Sequence, residues 1–141
     1  MCITTITIII WKGWEIMLVT IDFNSEEALY IQLRNQIIVG IATADILEGE
    51  TLPSVRQLAD TIGINMHTVN KAYTVLKQEG YIRLDRRKGA VIALDIDRIN
   101  AMENLIKDMR VIIAQAMCKN ISGKEIHQVA EEIIVEYISK I

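Results

Sequence analysis

Helix-breaking residues are scarce in this sequence. It has one proline and seven glycines among 141 residues, so few sharp turns are expected and long helices are favoured. Aromatic residues make up 5% of the chain, with a single Phe, which argues against a large β-sandwich core. The length is that of one ordinary domain, or of one small domain with an appendage, and it excludes a large enzyme core with a two-lobed substrate cleft.

Metal-binding and catalytic patterns are also missing. The two cysteines, Cys2 and Cys118, stand far apart, and this placement gives neither a disulfide framework nor a zinc spacing. With His67 and His127 as the only histidines, a metal site would need distant ligands to converge. No nucleophile, base and orienting residue stand at a recognisable spacing, and no phosphate-binding loop occurs. The sequence therefore predicts a reduced, cytoplasmic protein with no metal, no cofactor and no enzymatic activity.

The first sixteen residues differ in character from the rest. They alternate Ile and Thr, which suits a strand. No positive charge precedes the apolar run, so it is not a secretory signal, and Lys12 and Glu15 interrupt it too early for a membrane span. Met17 begins a stretch typical of a domain start. We therefore expect residues 1–16 to be a dispensable N-terminal extension, the alternative being an extra strand whose exposed edge pairs with another chain.

The middle of the chain predicts three helices followed by a hairpin. After a short strand at 18–22, the expected helices are 26–42, 54–61 and 66–79, and the expected strands are 81–84 and 90–94 around a polar turn. Asn24 or Ser25 is expected to cap the first helix and Ser54 the second, which Gly63 ends. The short turn between the second and third helices gives a helix-turn-helix, and the hairpin makes it a winged helix over residues 17–94.

A second region, 95–141, predicts two amphipathic helices at 97–118 and from a Ser122–Glu125 capping box to about 140. Because these helices have little to pack against in a monomer, we interpret them as a dimerisation segment. The predicted seam residues are Ile99, Met102, Ile106, Met109, Ile113, Ile126, Ile133, Ile134 and Tyr137. A Met-rich pocket for a small-molecule effector is the alternative use of Met102, Met109 and Met117. The fold class is thus mainly α with a small β-hairpin: a winged helix-turn-helix plus a two-helix segment.

Charge is distributed unevenly along the chain. The whole sequence has a formal charge of −3, which alone argues against a non-specific nucleic-acid binder. Residues 51–90 contain seven basic and three acidic residues, a formal charge of +4, so the remainder carries −7. Chance clustering on a solvated face is the alternative, which three consecutive basic residues at the predicted hairpin tip make less attractive. A cationic winged helix on an acidic remainder fits a DNA reader whose other parts should not touch DNA.

The middle region resembles the DNA-binding domain of the GntR family of bacterial transcriptional regulators. The residues that carry the resemblance are Leu52-Pro53-Ser54-Val55-Arg56-Gln57-Leu58-Ala59, Gly63, Thr68-Val69, Lys71-Ala72-Tyr73, Leu76, Glu79-Gly80-Tyr81-Ile82 and Gly89. The short tail of two helices resembles the YtrA subfamily, since the residues after Leu94 cannot hold the larger effector domain or the aminotransferase-like domain of other subfamilies. The resemblance covers residues 18–94.

The resemblance also implies roles for individual residues. Arg56 would contact DNA at the start of the second helix, and the first turn of the third helix would enter the major groove. The implied DNA-binding residues are Ser54, Arg56, Asn65, Met66, His67, Thr68, Asn70 and Lys71, with Arg86, Arg87, Lys88 and Gly89 at the wing tip, in or near the minor groove. Asn and Arg can each read a base edge through two hydrogen bonds, and a helix start can hold a phosphate. Ser54 is expected to act first as a cap.

The expected function is a homodimeric, sequence-specific repressor of its own operon. Two recognition helices ~34 Å apart would enter successive major grooves of double-stranded DNA at an inverted-repeat operator. By the resemblance, that operon encodes an ABC-type transporter. The sequence defines no pocket for a small-molecule effector, so the existence of one stays open, and no membrane contact is expected. The alternative function is a winged-helix module that binds another protein and not DNA.

Overall fold

A computed structural model describes the backbone of residues 5–12 and 15–141 and the side chains from Thr20 onward. The elements of the described residues are β1 (Thr5–Lys12), β2 (Glu15–Asp22), α1 (Leu29–Ala42), α2 (Val55–Ile62), α3 (Met66–Gln78), β3 (Ile82–Asp85), β4 (Gly89–Ile92), α4 (Arg98–Cys118) and α5 (Gly123–Ser139). The chain divides into two units between Asp95 and Ile96. Helices dominate and β3 pairs with β4 as a small antiparallel hairpin, which confirms the predicted fold class.

The N-terminal strands form a hairpin of their own. β1 and β2 are antiparallel, from Thr5 opposite Asp22 to Lys12 opposite Glu15. Residues 1–4 and 13–14 lie outside the described residues, so the expectation that residues 1–16 are dispensable is not tested there. Met17 pairs with Ile10, and the domain start predicted from the sequence therefore falls inside β2.

The start of α1 differs from the prediction. The helix begins at Leu29 after Ala28, which makes no side-chain cap, so the expected caps Asn24 and Ser25 were wrong. Ser25 instead accepts a hydrogen bond from the Glu27 N–H in a local turn, the alternative that short polar side chains commonly offer. The buried Gln32 joins the turn to the helix: its side chain accepts from the Asp22 N–H (2.9 Å) and donates to the Asp22 and Glu27 carbonyls (3.0 Å each).

The helix-turn-helix follows its sequence signals closely. Ser54 caps α2, and Gly63 ends it in the left-handed conformation at φ 76°, where a side chain would be strained. Asn65 caps α3, so the two helices are joined by only three residues. Ser54 caps through a full capping box, in which the Gln57 N–H donates to the Ser54 hydroxyl while the Ser54 N–H donates to the Gln57 side chain.

One hydrophobic core joins α1, α2, α3 and the β3–β4 hairpin. Its fully buried residues include Leu33, Ile37, Ile46, Leu58, Val69, Leu76 and Ile92. The segment before α2, which no predicted helix or strand includes, also pairs with β4: the Leu52 N–H donates to the Ala90 carbonyl and the Ile92 N–H to the Glu50 carbonyl, each at 2.8 Å. The sequence gives no alternating pattern there, because the pairing covers only a few residues around a single bridge at Thr51.

The second unit consists of α4 and α5, whose bounds agree with the predicted ones to within a residue or two. The side chain of Asp97 caps α4, and the expected Ser122–Glu125 capping box begins α5. Every residue of both helices is described and none is buried; Ile113, Ala116, Ile126 and Tyr137 are half-buried. Within the described part of the chain, no helix is both long and apolar enough to cross a membrane.

Candidate nucleic-acid interface

The start of α2 presents a polar, exposed turn. Ser54 and Arg56 are both exposed, as expected for residues that meet a ligand from solvent. The Ser54 hydroxyl is occupied by the capping box, so the expectation that it acts first as a cap is confirmed. The S-x-x-Q spacing of Ser54 and Gln57 is the sequence signal for this box, although a capping box was predicted only for Ser122 and Glu125.

The first turn of α3 is also exposed. Met66 and His67 lie on the surface, and Thr68 is half-buried. The Asn65 side-chain oxygen accepts the His67 N–H at 2.8 Å, so Asn65 holds the helix start in addition to any contact it makes outside the protein. The turn therefore offers a capped, positively polarised helix end.

The second turn of α3 separates its two faces cleanly. Asn70 and Lys71 are exposed, whereas Val69, Ala72 and Tyr73 are buried against the core. The helical spacing places the exposed residues of both turns on one side of α3. The structure thus brings together on one surface most of the residues predicted for the recognition helix.

Tyr30 of α1 also lies at this surface, although it is not among the residues predicted to bind DNA. The ammonium nitrogen of Lys71 lies 4.1 Å from the centre of the Tyr30 ring, which is the geometry of a cation–π contact. The ring holds the long Lys71 side chain in one direction. No local pattern could have identified the pair, because its members are on different helices and meet only in the folded unit.

A salt bridge fixes the other end of α3. The Arg34 guanidinium on α1 donates from Nε (3.0 Å) and Nη2 (2.6 Å) to one carboxylate oxygen of Glu79, just after the last turn of α3. Both side chains are partly exposed, so the pair adds little to the stability of the unit. Together with Tyr30 and Lys71, it gives α1 and α3 two polar contacts along their shared edge.

The wing tip is a tight turn organised by an aspartate. Asp85 and Gly89 are paired across the hairpin, and the three basic residues Arg86, Arg87 and Lys88 form the exposed turn between them. The Asp85 carboxylate accepts the backbone N–H groups of Lys88 (2.9 Å) and Arg87 (2.8 Å). These bonds, Lys88 first, and the nearby charges of Arg83 and Lys88 lower the pKa of Asp85. Gly89, at φ 81°, closes the turn.

Elsewhere in the described residues, the side chains that could bind a metal are scattered, and α4 carries an open groove. Nowhere in the described part of the chain do three or more His, Cys, Asp or Glu side chains lie close enough together to hold a metal ion. An open groove of about 460 Å³ runs along α4 and is lined by Ile106, Met109, Arg110, Ile113, Ala114 and Met117. Three of the predicted seam residues, Ile106, Met109 and Ile113, line this groove. Two of the three methionines of the alternative pocket, Met109 and Met117, lie there as well.

The chain is similar to known proteins in both sequence and structure. Residues 26–92 match the family described as bacterial regulatory proteins, gntR family. The HTH-type transcriptional repressor YtrA of Bacillus subtilis is 31% identical over 119 residues, 82% of this chain and 92% of that protein. YtrA from Sulfolobus acidocaldarius, a GntR-family transcription factor of known structure, is 37% identical, with a TM-score of 0.58 over 71% of this chain and 97% of that one. A transcriptional antiterminator from Listeria monocytogenes EGD-e is 27% identical, with a TM-score of 0.76 over 84% of this chain and 90% of its own.

Proposed function

Because the chain belongs to the GntR family and is YtrA-like, it is a DNA-binding transcriptional regulator, and we propose that it is a homodimeric repressor of its own operon at an inverted-repeat operator. The observation that carries the proposal is the exposed face of α3, which begins with a capped turn and carries Asn70 and Lys71 on the next turn. Such a helix end fits the major groove, where base edges are read.

The two asparagines of α3 have different roles in this proposal. Reading an adenine takes both the oxygen and the amide group of an Asn side chain. The oxygen of Asn65 already accepts the His67 N–H, so Asn65 serves first to hold the helix start. Asn70 is exposed one turn further on, and it is the residue we assign to base reading. Met66, His67 and Thr68 contribute shape and hydrogen bonds around it.

The basic residues supply phosphate contacts. Arg56 lies in the first turn of α2, where the helix dipole also favours an anion, and Lys71 is held in direction by Tyr30. Arg86, Arg87 and Lys88 form the wing tip, with Gly89 allowing close approach of the backbone. The Leu52–Ala90 hydrogen bond links the strand that carries the wing to the segment that leads into α2, so these contacts come from one packed unit.

A second copy of this chain is the proposed occupant of the apolar faces of α4 and α5. Ile99 is 77% exposed and Ile134 is 56% exposed, although both belong to regular apolar stripes. Isolated helices of this kind are marginal in water, because most helical stability in proteins comes from packing the apolar face. Pairing across a two-fold axis would cover both faces and match the symmetry of an inverted repeat. The absence of any buried residue in these helices supports this assignment.

Repression and self-regulation extend the proposal beyond DNA binding. A similar protein of comparable length, YtrA of Bacillus subtilis, is named a transcriptional repressor. A dimer on an operator next to its own promoter would act by blocking transcription, and such a protein works in the cytoplasm. The regulated operon is proposed to encode a transporter, and a small-molecule effector would act by changing the dimer that α4 and α5 form.

Selection from genomic DNA tests the proposal. The purified protein is mixed with genomic fragments at about 150 mM salt, because affinities at low salt overstate non-specific binding. We expect one inverted-repeat sequence to be enriched, adjacent to the gene for the protein itself. Arg56→Ala should weaken binding to it by roughly 1–3 kcal/mol. Lys124→Ala, which removes one positive charge from α5, is the matched control and should bind as the unmodified protein does.

The outcomes separate the proposal from its alternative. Enrichment of one sequence that Arg56→Ala loses and Lys124→Ala keeps would support a sequence-specific regulator. Equal retention of all fragments by the three proteins would contradict sequence-specific binding. Retention of no fragment, together with a low salt of elution from heparin, would favour the winged-helix protein-interaction module.

A further inference from the structure

Tyr73 is a buried polar residue that the proposed contacts with DNA do not use. It lies on α3 and is 4% exposed, and its hydroxyl donates to the Pro53 carbonyl oxygen at 2.7 Å. A phenylalanine would fill the same space without a hydroxyl to satisfy, and burying a hydroxyl is costly unless it finds a partner. This bond runs from α3 to the residue just before the cap of α2, which indicates that Tyr73 positions the start of α2.

We propose that Tyr73 is a positioning residue for DNA binding, which fixes the N-terminal end of α2 against α3. The inference rests on the proposed function. Pro53 directly precedes the cap residue Ser54, and Ser54 is occupied with Gln57 inside the same helix. The bond from Tyr73 thus ties the segment that leads into α2 to α3, while the Leu52 N–H ties the same segment to β4.

A direct contact between Tyr73 and a phosphate is disfavoured by the same geometry. A phosphate oxygen can only accept a hydrogen bond, and a tyrosine hydroxyl has one proton, which Tyr73 donates to Pro53. Burial raises the pKa of Tyr73, so the hydroxyl remains a donor throughout the physiological pH range. Its effect on DNA is thus transmitted through the residues that it holds in place.

The residue held in place is Arg56, two positions after the cap. Arg56 on α2 and the exposed residues of α3 have to meet the same stretch of DNA, although they stand on different helices. Binding groups that are held in a fixed geometry before binding lose less freedom when they bind. A loosened α2 would keep its charge but present Arg56 over a wider range of positions.

A double-mutant cycle tests the inference. Tyr73→Phe, Arg56→Ala and the double variant are compared with the unmodified protein for affinity to the selected operator and to an unrelated duplex. We expect Tyr73→Phe to lower operator affinity by about three- to tenfold, the size of one lost hydrogen bond, with a smaller effect on the unrelated duplex. In the Arg56→Ala background the loss should largely disappear, because Tyr73 acts through Arg56.

The control is Ile37→Val, which removes one methylene group from the buried face of α1, far in sequence from both helix starts. Thermal melts establish that every variant is folded. Equal operator affinities for Tyr73→Phe and Ile37→Val, or full additivity of Tyr73→Phe with Arg56→Ala, would overturn the inference and leave the proposed function standing. If the unmodified protein binds no DNA, the proposed function itself fails and the inference with it.

Discussion

The two units of this chain use the same helical periodicity with opposite results. In the winged-helix unit the apolar face of each helix is buried, and Leu33 and Leu76 are 0% exposed. In the second unit the apolar faces of α4 and α5 are as regular in sequence, yet none of their residues is buried. Leu105 and Ile112, outside the predicted seam, are exposed on α4 as well.

The difference shows what an amphipathic pattern does and does not specify. The pattern identifies a face that must be covered, since exposed apolar surface costs free energy in water. In the first unit, the neighbouring helices and the hairpin cover it, and the Arg34–Glu79 salt bridge joins α1 to the end of α3. In the second unit, α4 and α5 do not bury each other's apolar faces, so another surface has to cover them. We therefore assign this role to a second copy of the chain.

The largest expected effect is from a charge placed in the uncovered face. Met109→Glu would put a carboxylate in the groove on α4, where pairing would have to bury it. We expect the dimer to dissociate and the affinity for the inverted repeat to fall by at least about 100-fold, because each half-site is then bound separately. Analytical ultracentrifugation measures the first effect and operator titration the second.

Gln115→Glu is the matched control for this variant, with the same new charge at an exposed position of α4 outside the predicted seam. It should leave both the dimer and the affinity unchanged. A Met109→Glu protein that still sediments as a dimer would place the dimer contact elsewhere in the chain.

The next largest effect is on stability, when the same side chain is shortened from Ile to Ala in each unit. Ile37 is 1% exposed and Ile106 is 48% exposed, and each can be changed to Ala. Ile37→Ala should lower the free energy of unfolding by roughly 2–5 kcal/mol at every protein concentration. Ile106→Ala should act through dimerisation, so its effect on the melting temperature should grow as the protein is diluted. A concentration-independent loss for Ile106→Ala would mean that its face is covered within one chain.

Local features of the fold were predictable because they depend on residues close in sequence. The cap at Ser54, the left-handed Gly63 and the Ser122–Glu125 box each involve a few consecutive residues, and the structure confirms all three. The first helix was predicted to begin too early, because Asn24 and Ser25 resemble caps locally. The hydrogen bonds at its actual start join Gln32 to Asp22, ten residues earlier at the end of β2, and a local cap pattern does not reveal them.

In the candidate site, too, some features were predictable from nearby residues and others were not. Its exposed residues on α3 were predictable from periodicity, since the buried positions 69, 72 and 73 define the opposite face. The contacts that orient the site were not predictable, because Tyr30 with Lys71 and Tyr73 with Pro53 join residues far apart in sequence. A single sequence shows which side chains are available, and only the packed unit shows which of them meet.

A smaller effect on DNA affinity is expected from the wing tip. It belongs to the well-packed unit, yet its basic residues are exposed, as most residues of α4 and α5 are. If Arg86, Arg87 and Lys88 each neutralise a phosphate, changing all three to Ala should reduce the slope of log affinity against log salt by about three for each wing, and so by about five to six for a dimer that carries two wings. Changing Lys107, Lys119 and Lys124 of the second unit to Ala removes the same charge and should leave the slope unchanged. An unchanged slope for the wing variant would remove the wing from the interface.

The smallest effect concerns how the wing tip is held. The pKa of Asp85 is lowered from its ordinary value of 3.8, chiefly by the N–H groups of Lys88 and Arg87, so the ionised carboxylate favours the folded turn. That contribution is present at neutral pH and is lost as the pH falls through the lowered pKa. The NMR amide signals of Arg87 and Lys88 should therefore shift together below pH 3.8.

Asp85→Asn separates the charge of this side chain from its shape. The amide oxygen of Asn can still accept the two N–H groups, so the turn should persist, but the shift of the two amide signals with pH should vanish. Asp85→Ala should lose the turn at every pH and weaken operator binding modestly, since the three basic side chains would no longer be presented together. A pH-dependent shift that survives in Asp85→Asn would assign the titration to another group.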